Sequence, residues 1–381
     1  MLFPPSAKQI AKFSVNPPQG RVRALDITRG FAMLFVCLSH FAEVYFWRNR
    51  LSTDLIFRVT KFASPTFILV SGILLGYFYV TRRSSFAKIR ENFIMRGLFL
   101  LSIGRLIILM AHIPHAGGLG QALHWGFITD TIGLFLIVGP CFVEHLGRVG
   151  RVIVATCLIV GSWTALATVS PSNAWLEWIV EMLSGQTGHS TRWYADNFPV
   201  LPWLGLYLLG TVVGESLFLR KKHASNWSKN LALVGGMGLV SSMVLYIVTG
   251  TAFVQASIAS TLHHSGHYLL SPFSKLPPSP GFLIFYGGIG LLILAGFLWI
   301  EHSGIGGWYV RNLEIIGRNS LFVFVLQYFV YFTLLHEFHP GYTVLWPLIF
   351  LLSLLIIWVG AMVWDKRGWN RYLRFPIFSR G

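Results

Sequence analysis

Leu25-Asp-Ile-Thr-Arg-Gly-Phe-Ala-Met-Leu-Phe-Val-Cys-Leu-Ser-His40 is an apolar run with Arg29 and His40 set into it. Eleven helical steps of about 100° return to within about 20° of the starting face, so the two side chains share one stripe, about 16 Å apart along the axis. The stripe continues through Asp26, Met33, Val36 or Cys37, Glu43 and Trp47 at spacings of three and four. Ionisable groups inside a bilayer are costly, and they face a protein interior or wet cavity where a partner or substrate meets them. The pair therefore marks a candidate site. The alternative is a structural pair, with Asp26 balancing Arg29 and a carbonyl satisfying His40.

The rest of the chain agrees with a membrane setting. Of 381 residues, 54% are hydrophobic and only 12% charged, and the mean hydropathy of +0.62 excludes an ordinary soluble domain. Apolar runs near 20 residues predict ten spans, at about 25 to 47, 62 to 80, 93 to 112, 122 to 143, 150 to 169, 197 to 219, 229 to 250, 280 to 300, 313 to 335 and 343 to 364. The first 24 residues are polar, carry Pro4, Pro5, Pro17 and Pro18, and lack the apolar core of a cleaved signal peptide. The expected architecture is an all-α polytopic bundle of about ten helices. Residues 1–24 form a cytoplasmic N-terminal segment, 25–364 the membrane domain, and 365–381 a basic cytoplasmic tail.

Net charge is +16, and its distribution carries more information than its sum. With the N-terminus cytoplasmic, twenty of the thirty Lys and Arg residues fall on inside segments, the pattern of a chain with both termini in the cytoplasm of a cell membrane. Anionic lipid on that face suits the excess. A nucleic-acid role would need basic and aromatic residues interleaved on a soluble module, and the chain has none.

Several buried polar groups collect at matching depths. Arg29, Arg96 and Arg318 lie within about two turns of the inner surface, a placement suited to a polyanion such as the phosphates of a nucleotide or coenzyme A. Snorkelling to lipid phosphate is the alternative. Glu43, one turn beyond His40, is placed either to raise the imidazole's basicity or orient its tautomer, or to sit solvated at the outer interface. Arg105 and Asp130 read as a structural ion pair. His112, His115, His124, His189, His263, His264, His267, His336 and His339 fall on the outer side. The His263-His264-x-x-His267 spacing suits zinc or copper, but with no carboxylate or cysteine nearby it reads as loop chemistry rather than a metal site. Cys37, Cys141 and Cys157 read as small apolar packing residues. Gly235-Gly-Met-Gly238 and Gly287-Gly-Ile-Gly290 read as close helix contacts. Outer-face aromatics, including Trp125, Trp175, Trp178, Trp193, Tyr194 and Trp203, suit either sugar stacking or an interfacial belt.

These residues resemble a family of membrane acyltransferases. Arg29-x10-His40 resembles the arginine/lysine-x10-histidine signature of the acyltransferase-three proteins. Leu25-Asp26-x-x-Arg29-Gly30 resembles the opening of that superfamily and of its relatives, the periplasmic-glucan succinyltransferases and the heparan-alpha-glucosaminide N-acetyltransferase-like proteins. Ala63-Ser-Pro-Thr-Phe-Ile-Leu-Val-Ser71-Gly72 is similar to the second-helix motif. Arg96-Gly-Leu-Phe-Leu-Leu-Ser-Ile-Gly104, Phe198-Pro-Val-Leu-Pro-Trp-Leu-Gly205 and Ile316-Gly-Arg-Asn-Ser-Leu321 are closest to the heparan-acetyltransferase-like branch. The chain departs from the pattern at Gln327, where many relatives carry histidine, and in lacking the paired arginines of acyltransferase-three proteins on the third span.

The resemblance implies that His40 is catalytic and that Arg29 supports the acyl-donor site, and Glu43 is the helper expected from its spacing to His40. The candidate donor site for cytosolic acyl-coenzyme A, acetyl-coenzyme A foremost, is Arg29 with Asp26, Ser71, Arg96, Arg318 and Asn319, and no metal is expected. The expected reaction moves the acyl group to a hydroxyl or amine of a glycan or glycolipid on the outer face. A proton-coupled transporter or flippase for a small anion or lipid-linked sugar is the rival, and it would carry internal repeats or paired broken helices.

Overall fold

The computed structural model describes residues 22–46, 50–123, 125–169, 173–185, 195–196, 198–219, 226–249, 271–275, 277–338, 344–373 and 375. Its helices are α1 (Arg23–Tyr45), α2 (Arg50–Thr60), α3 (Ala63–Thr81), α4 (Phe86–Phe99), α5 (Arg105–Ala116), α6 (Ile128–His145) and α7 (Arg148–Thr168). They continue as α8 (Ala174–Ser184), α9 (Val200–Leu219), α10 (Trp227–Thr249), α11 (Pro280–His302), α12 (Trp308–Arg318), α13 (Ser320–Tyr328) and α14 (Trp346–Arg367). A two-residue parallel pairing of Trp125–Gly126 with Ala195–Asp196 is the strand structure among the described residues. Nine helices there are long and apolar enough to span a membrane, and a bent pair makes a tenth. The protein is an all-α, multi-pass membrane protein.

Two spans differ from their predicted limits in ways that build the site. The third is a 34-residue helical run, Arg83–Ala116, rather than one ending near 112. Pro114 lies in its last turn, and the stop is Gly117, whose φ of 79° permits the left-handed turn. His112 and His115 are thus helical and not in a loop. A π-helical stretch, Leu100–Gly104, joins α4 to α5. The ninth span is broken: α12 and the helix from Ser320 to Leu335 meet at 79°. Asn319 makes the corner, its side-chain amide donating to the Ile315 carbonyl at 2.8 Å and to Asp365 Oδ1 at 3.0 Å. Non-helical backbone at membrane depth is tolerated when its polar groups are met this way within the protein.

Helix ends and glycine contacts fix α1 in the centre. Both Glu301 carboxylate oxygens accept the first backbone N–H groups of α1, from Arg23 at 3.2 Å and Ala24 at 2.8 Å, so α11 caps α1 and complements its dipole. Along its length α1 crosses α12 with backbones touching. A Cβ on Gly30 would lie 1.9 Å from the Leu313 carbonyl oxygen, and one on Gly317 would lie 1.7 Å from that of Asp26. The glycine runs of the seventh and eighth spans meet as expected, Gly235 against Gly288. Arg151 and Glu215 form a fully buried ion pair between α7 and α9, completed by Thr211, which accepts from Arg151 Nη1 at 2.8 Å. Cys37 is buried, but Cys141 and Cys157 lie on exposed helix faces, so their expected packing role holds for Cys37 alone.

Candidate active site

Arg29 lies on the second turn of α1 and enters a space bounded by α3, α4, α6 and α13. Its Nη2 donates to Ser320 Oγ at 2.6 Å, and its guanidinium sits 5.2 Å from the Phe67 ring centre. Ser320 stands immediately after the break at Asn319, where α12 packs closely on α1. Arg29, Ser71, Asn92, Arg96 and Ser320 contribute polar groups to a cavity of about 210 Å³ whose remaining wall is largely apolar, including Met33, Val36, Phe67 and Phe324. Ser71 donates to the Phe67 carbonyl at 2.8 Å. Thr129 Oγ1, also on the wall, is buried without a hydrogen bond among the described residues. Two guanidiniums on the wall of a largely apolar cleft suit a ligand with an anionic head and an uncharged arm.

The cavity stops at Val36 and Phe324, and His40 stands one helical turn past Val36. The His40 ring packs edge-on against Phe324 at 6.1 Å between centroids, Tyr328 at 5.2 Å and Phe332 at 5.2 Å. Its Nδ1 is buried without a hydrogen-bond partner. Gln327 is fully buried beside it. Beyond lie His112 and His115, one turn apart on α5 with rings 5.3 Å apart, and His336, whose ring is 5.4 Å from that of His115. The π-helical stretch Phe329–Leu335 carries Phe332 into this cluster, as such turns frequently do at functional sites.

Glu43 does not bond His40. Its Oε1 lies 3.8 Å from His115 Nε2, so its carboxylate meets the imidazole of α5 and reaches His40 only through space. Lys275, on the 271–275 segment at the Tyr45 end of the bundle, lies 5.6 Å from the Phe198 ring centre. Burial pushes its ammonium down to about 8, with Glu43 opposing the shift and Lys61 adding to it.

The donor-site set expected from sequence therefore divides. Arg29, Ser71 and Arg96 share the cavity. Arg318 and Asn319 turn away from it: Arg318 Nη2 pairs with Asp365 Oδ2 at 2.5 Å, and Asn319 is held by Asp365 and by Asn370, which donates to its Oδ1 at 2.6 Å. Asp365 draws both outward because the corner needs its polar groups satisfied. Asp26 is buried where α1 meets Gly317 and is likewise not on the cavity wall. Arg105 and Asp130 form the expected ion pair, and Asp130 Oδ2 also accepts from Phe127 N–H at 3.1 Å at the start of α6. Trp203 is completely buried against Phe198 and Phe282, available to neither lipid nor sugar. Trp193, Tyr194, His124, His189, His263, His264, His267 and His339 lie outside the described residues.

The family model described as heparan-alpha-glucosaminide N-acetyltransferase, catalytic, matches residues 21–258. The chain belongs to this family. It is thus a member of a membrane acetyltransferase family, which carries with it an acetyl donor. The matched stretch holds Arg29, His40, Glu43, Ser71, Arg96 and His112, whereas Ser320, Phe324, Gln327 and Tyr328 all come from α13, past its end, with Ser320 and Phe324 on the cavity wall and Tyr328 against His40. No curated protein matches the chain. Sequence reasoning missed Asn92, Phe324, Gln327 and the burial of His112. The readable signal was the i, i+3 spacing of His112 and His115 at the end of an apolar run, which aligns both on one helix face.

Proposed function

We propose that the protein transfers an acetyl group from cytosolic acetyl-coenzyme A to a hydroxyl or amine of a glycan or glycolipid presented at the opposite membrane face. The supporting observation is a cavity holding two guanidiniums that ends one helical turn from a buried imidazole. Arg29 and Arg96 hold the donor's phosphates at the Arg23 end, which the positive-inside pattern makes cytoplasmic. The apolar wall of Met33, Val36 and Phe67 accepts the pantetheine arm. Arg29 and His40 lie about 16 Å apart along α1, a span that this arm bridges.

Neutral His40 takes the proton from the acceptor nucleophile as it attacks the thioester carbonyl. The new bond forms between carbonyl carbon and acceptor oxygen or nitrogen, the carbon–sulfur bond breaks, and the departing thiolate receives that proton from His40. No net proton is released when the acceptor is a hydroxyl or neutral amine. Phe324, Tyr328 and Phe332 enclose the ring and keep bulk water from the thioester.

The test is purified protein in lipid with radiolabelled acetyl-coenzyme A and a panel of glycans and amino sugars, following thiol release and label transfer. Turnover in the wild type that disappears in His40→Ala supports acetyl transfer. Absence of donor binding removes it and favours transport.

A further inference from the structure

A second polar cluster, outside the arginine-lined cavity, lies on the far side of Phe324. His112 on α5 is 2% exposed and Gln327 on α13 fully buried. Neither ring nitrogen of His112, neither polar atom of the Gln327 amide, and not Nδ1 of His40 makes a hydrogen bond among the described residues. These five atoms come from three helices and gather round one pair of rings. His40 and His112 both pack against Tyr328, at 5.2 and 6.1 Å, and against Phe332, at 5.2 and 5.0 Å. Trp125 closes the outer side of His112 at 5.0 Å.

Buried polar atoms are almost always paired, and each one that is not carries a desolvation cost. Five of them in a single cluster point to a hydrogen-bonding occupant. Imidazole and carboxamide each offer donor and acceptor together, which matches a hydroxyl or an uncharged amine rather than an ion. The bordering aromatic faces match the apolar face of a sugar ring. Neither His112 nor Gln327 lines the donor cavity, so the pair serves the other substrate.

We infer that His112 and Gln327 form the acceptor subsite and hold a sugar hydroxyl or amine against His40. Resting on the acetyl-transfer reading, this assigns binding of the second substrate to two residues for which sequence suggested no such role. His112 contacts the acceptor and fixes its approach; His40 remains the base.

The experiment measures equilibrium binding of tritiated glucosamine and, separately, of acetyl-coenzyme A to the full chain in nanodiscs. The proteins are wild type, His112→Phe, His112→Asn and Gln327→Leu. Phenylalanine keeps the aromatic packing while removing both nitrogens, and retained acetyl-coenzyme A binding reports a folded protein. The inference predicts that His112→Phe and Gln327→Leu each weaken glucosamine binding by about tenfold or more, as loss of one or two hydrogen bonds would. It predicts donor affinity within about twofold of wild type, with His112→Asn recovering part of the loss. Unchanged glucosamine binding in His112→Phe, or none in the wild type, overturns the subsite. Glucosamine binding that depends on His112 without acetyl transfer leaves the subsite standing and removes the acetyltransferase reading.

Discussion

The arginine-lined cavity and the histidine cluster meet along α1, about a turn apart, and handle polarity in opposite ways. In the cavity, Arg29 is already engaged by Ser320 and Phe67, and Arg96 adds a second guanidinium to a largely apolar wall. In the histidine cluster, imidazoles and an amide sit deep among aromatic rings, with His40 Nδ1, both His112 nitrogens and both polar atoms of Gln327 unpaired among the described residues. The first arrangement suits anion capture; the second suits proton transfer and recognition of a neutral nucleophile. Phe324 touches both, lining the cavity and packing on His40. Acyl transfer needs this division, because the two substrates must be held apart until a thioester and a nucleophile meet at one point.

The largest expected effect separates the two regions at His40. His40→Ala should lower the transfer rate by about 10²- to 10⁴-fold, the usual contribution of a positioned general base, while leaving acetyl-coenzyme A affinity within about twofold. Rate measurements at saturating donor, paired with donor titrations, check both halves. Next come the cations. Arg29→Met and Arg96→Met should each weaken donor binding by about 10- to 100-fold through lost charge-assisted contacts, with a smaller change in the rate at saturation. Parallel losses in affinity and saturated rate would erase the distinction between the regions.

A smaller effect tests where the cavity ends. Arg318→Met should leave donor affinity unchanged, because that guanidinium serves Asp365 at the helix corner, and should lower the thermal midpoint by a few degrees. A tenfold loss of donor affinity would return Arg318 to the donor site.

The smallest effect concerns Lys275, whose ammonium burial brings down to about 8 from its ordinary value of 10.5. Below about pH 8 both folded and unfolded chains hold the proton, and the folded protein bears the full cost of the buried charge. Between about 8 and 10.5 the folded chain releases it first, so stability rises with pH. Lys275→Met should therefore be more stable than wild type at pH 7, and the advantage should shrink as pH rises past 8. Thermal midpoints at pH 7 and 9.5 read the difference.

The helices were legible because apolar runs near 20 residues have few alternatives in a membrane, and the Arg29–His40 stripe was legible because charge inside such a run is conspicuous. What sequence concealed was direction. Arg318 has the depth of a donor ligand, but the 79° corner at Asn319 turns it toward Asp365, 47 residues away in sequence. Glu43 has the spacing to serve His40, yet it meets His115 from another helix. His112 was expected at the outer end of a span closing near residue 112, whereas the helix runs on to Ala116 and buries it. Gln327 stood out only as a departure from the family's histidine, and it is α13 that packs it beside His40.

A cryo-electron microscopy map of the wild-type protein with a non-hydrolysable acetyl-coenzyme A analogue tests the central claim most directly. The account predicts phosphate density against Arg29 and Arg96, with the acyl end past Val36 and within reach of the His40 ring. A donor seated away from these arginines, or one whose acyl end points away from His40, would contradict it.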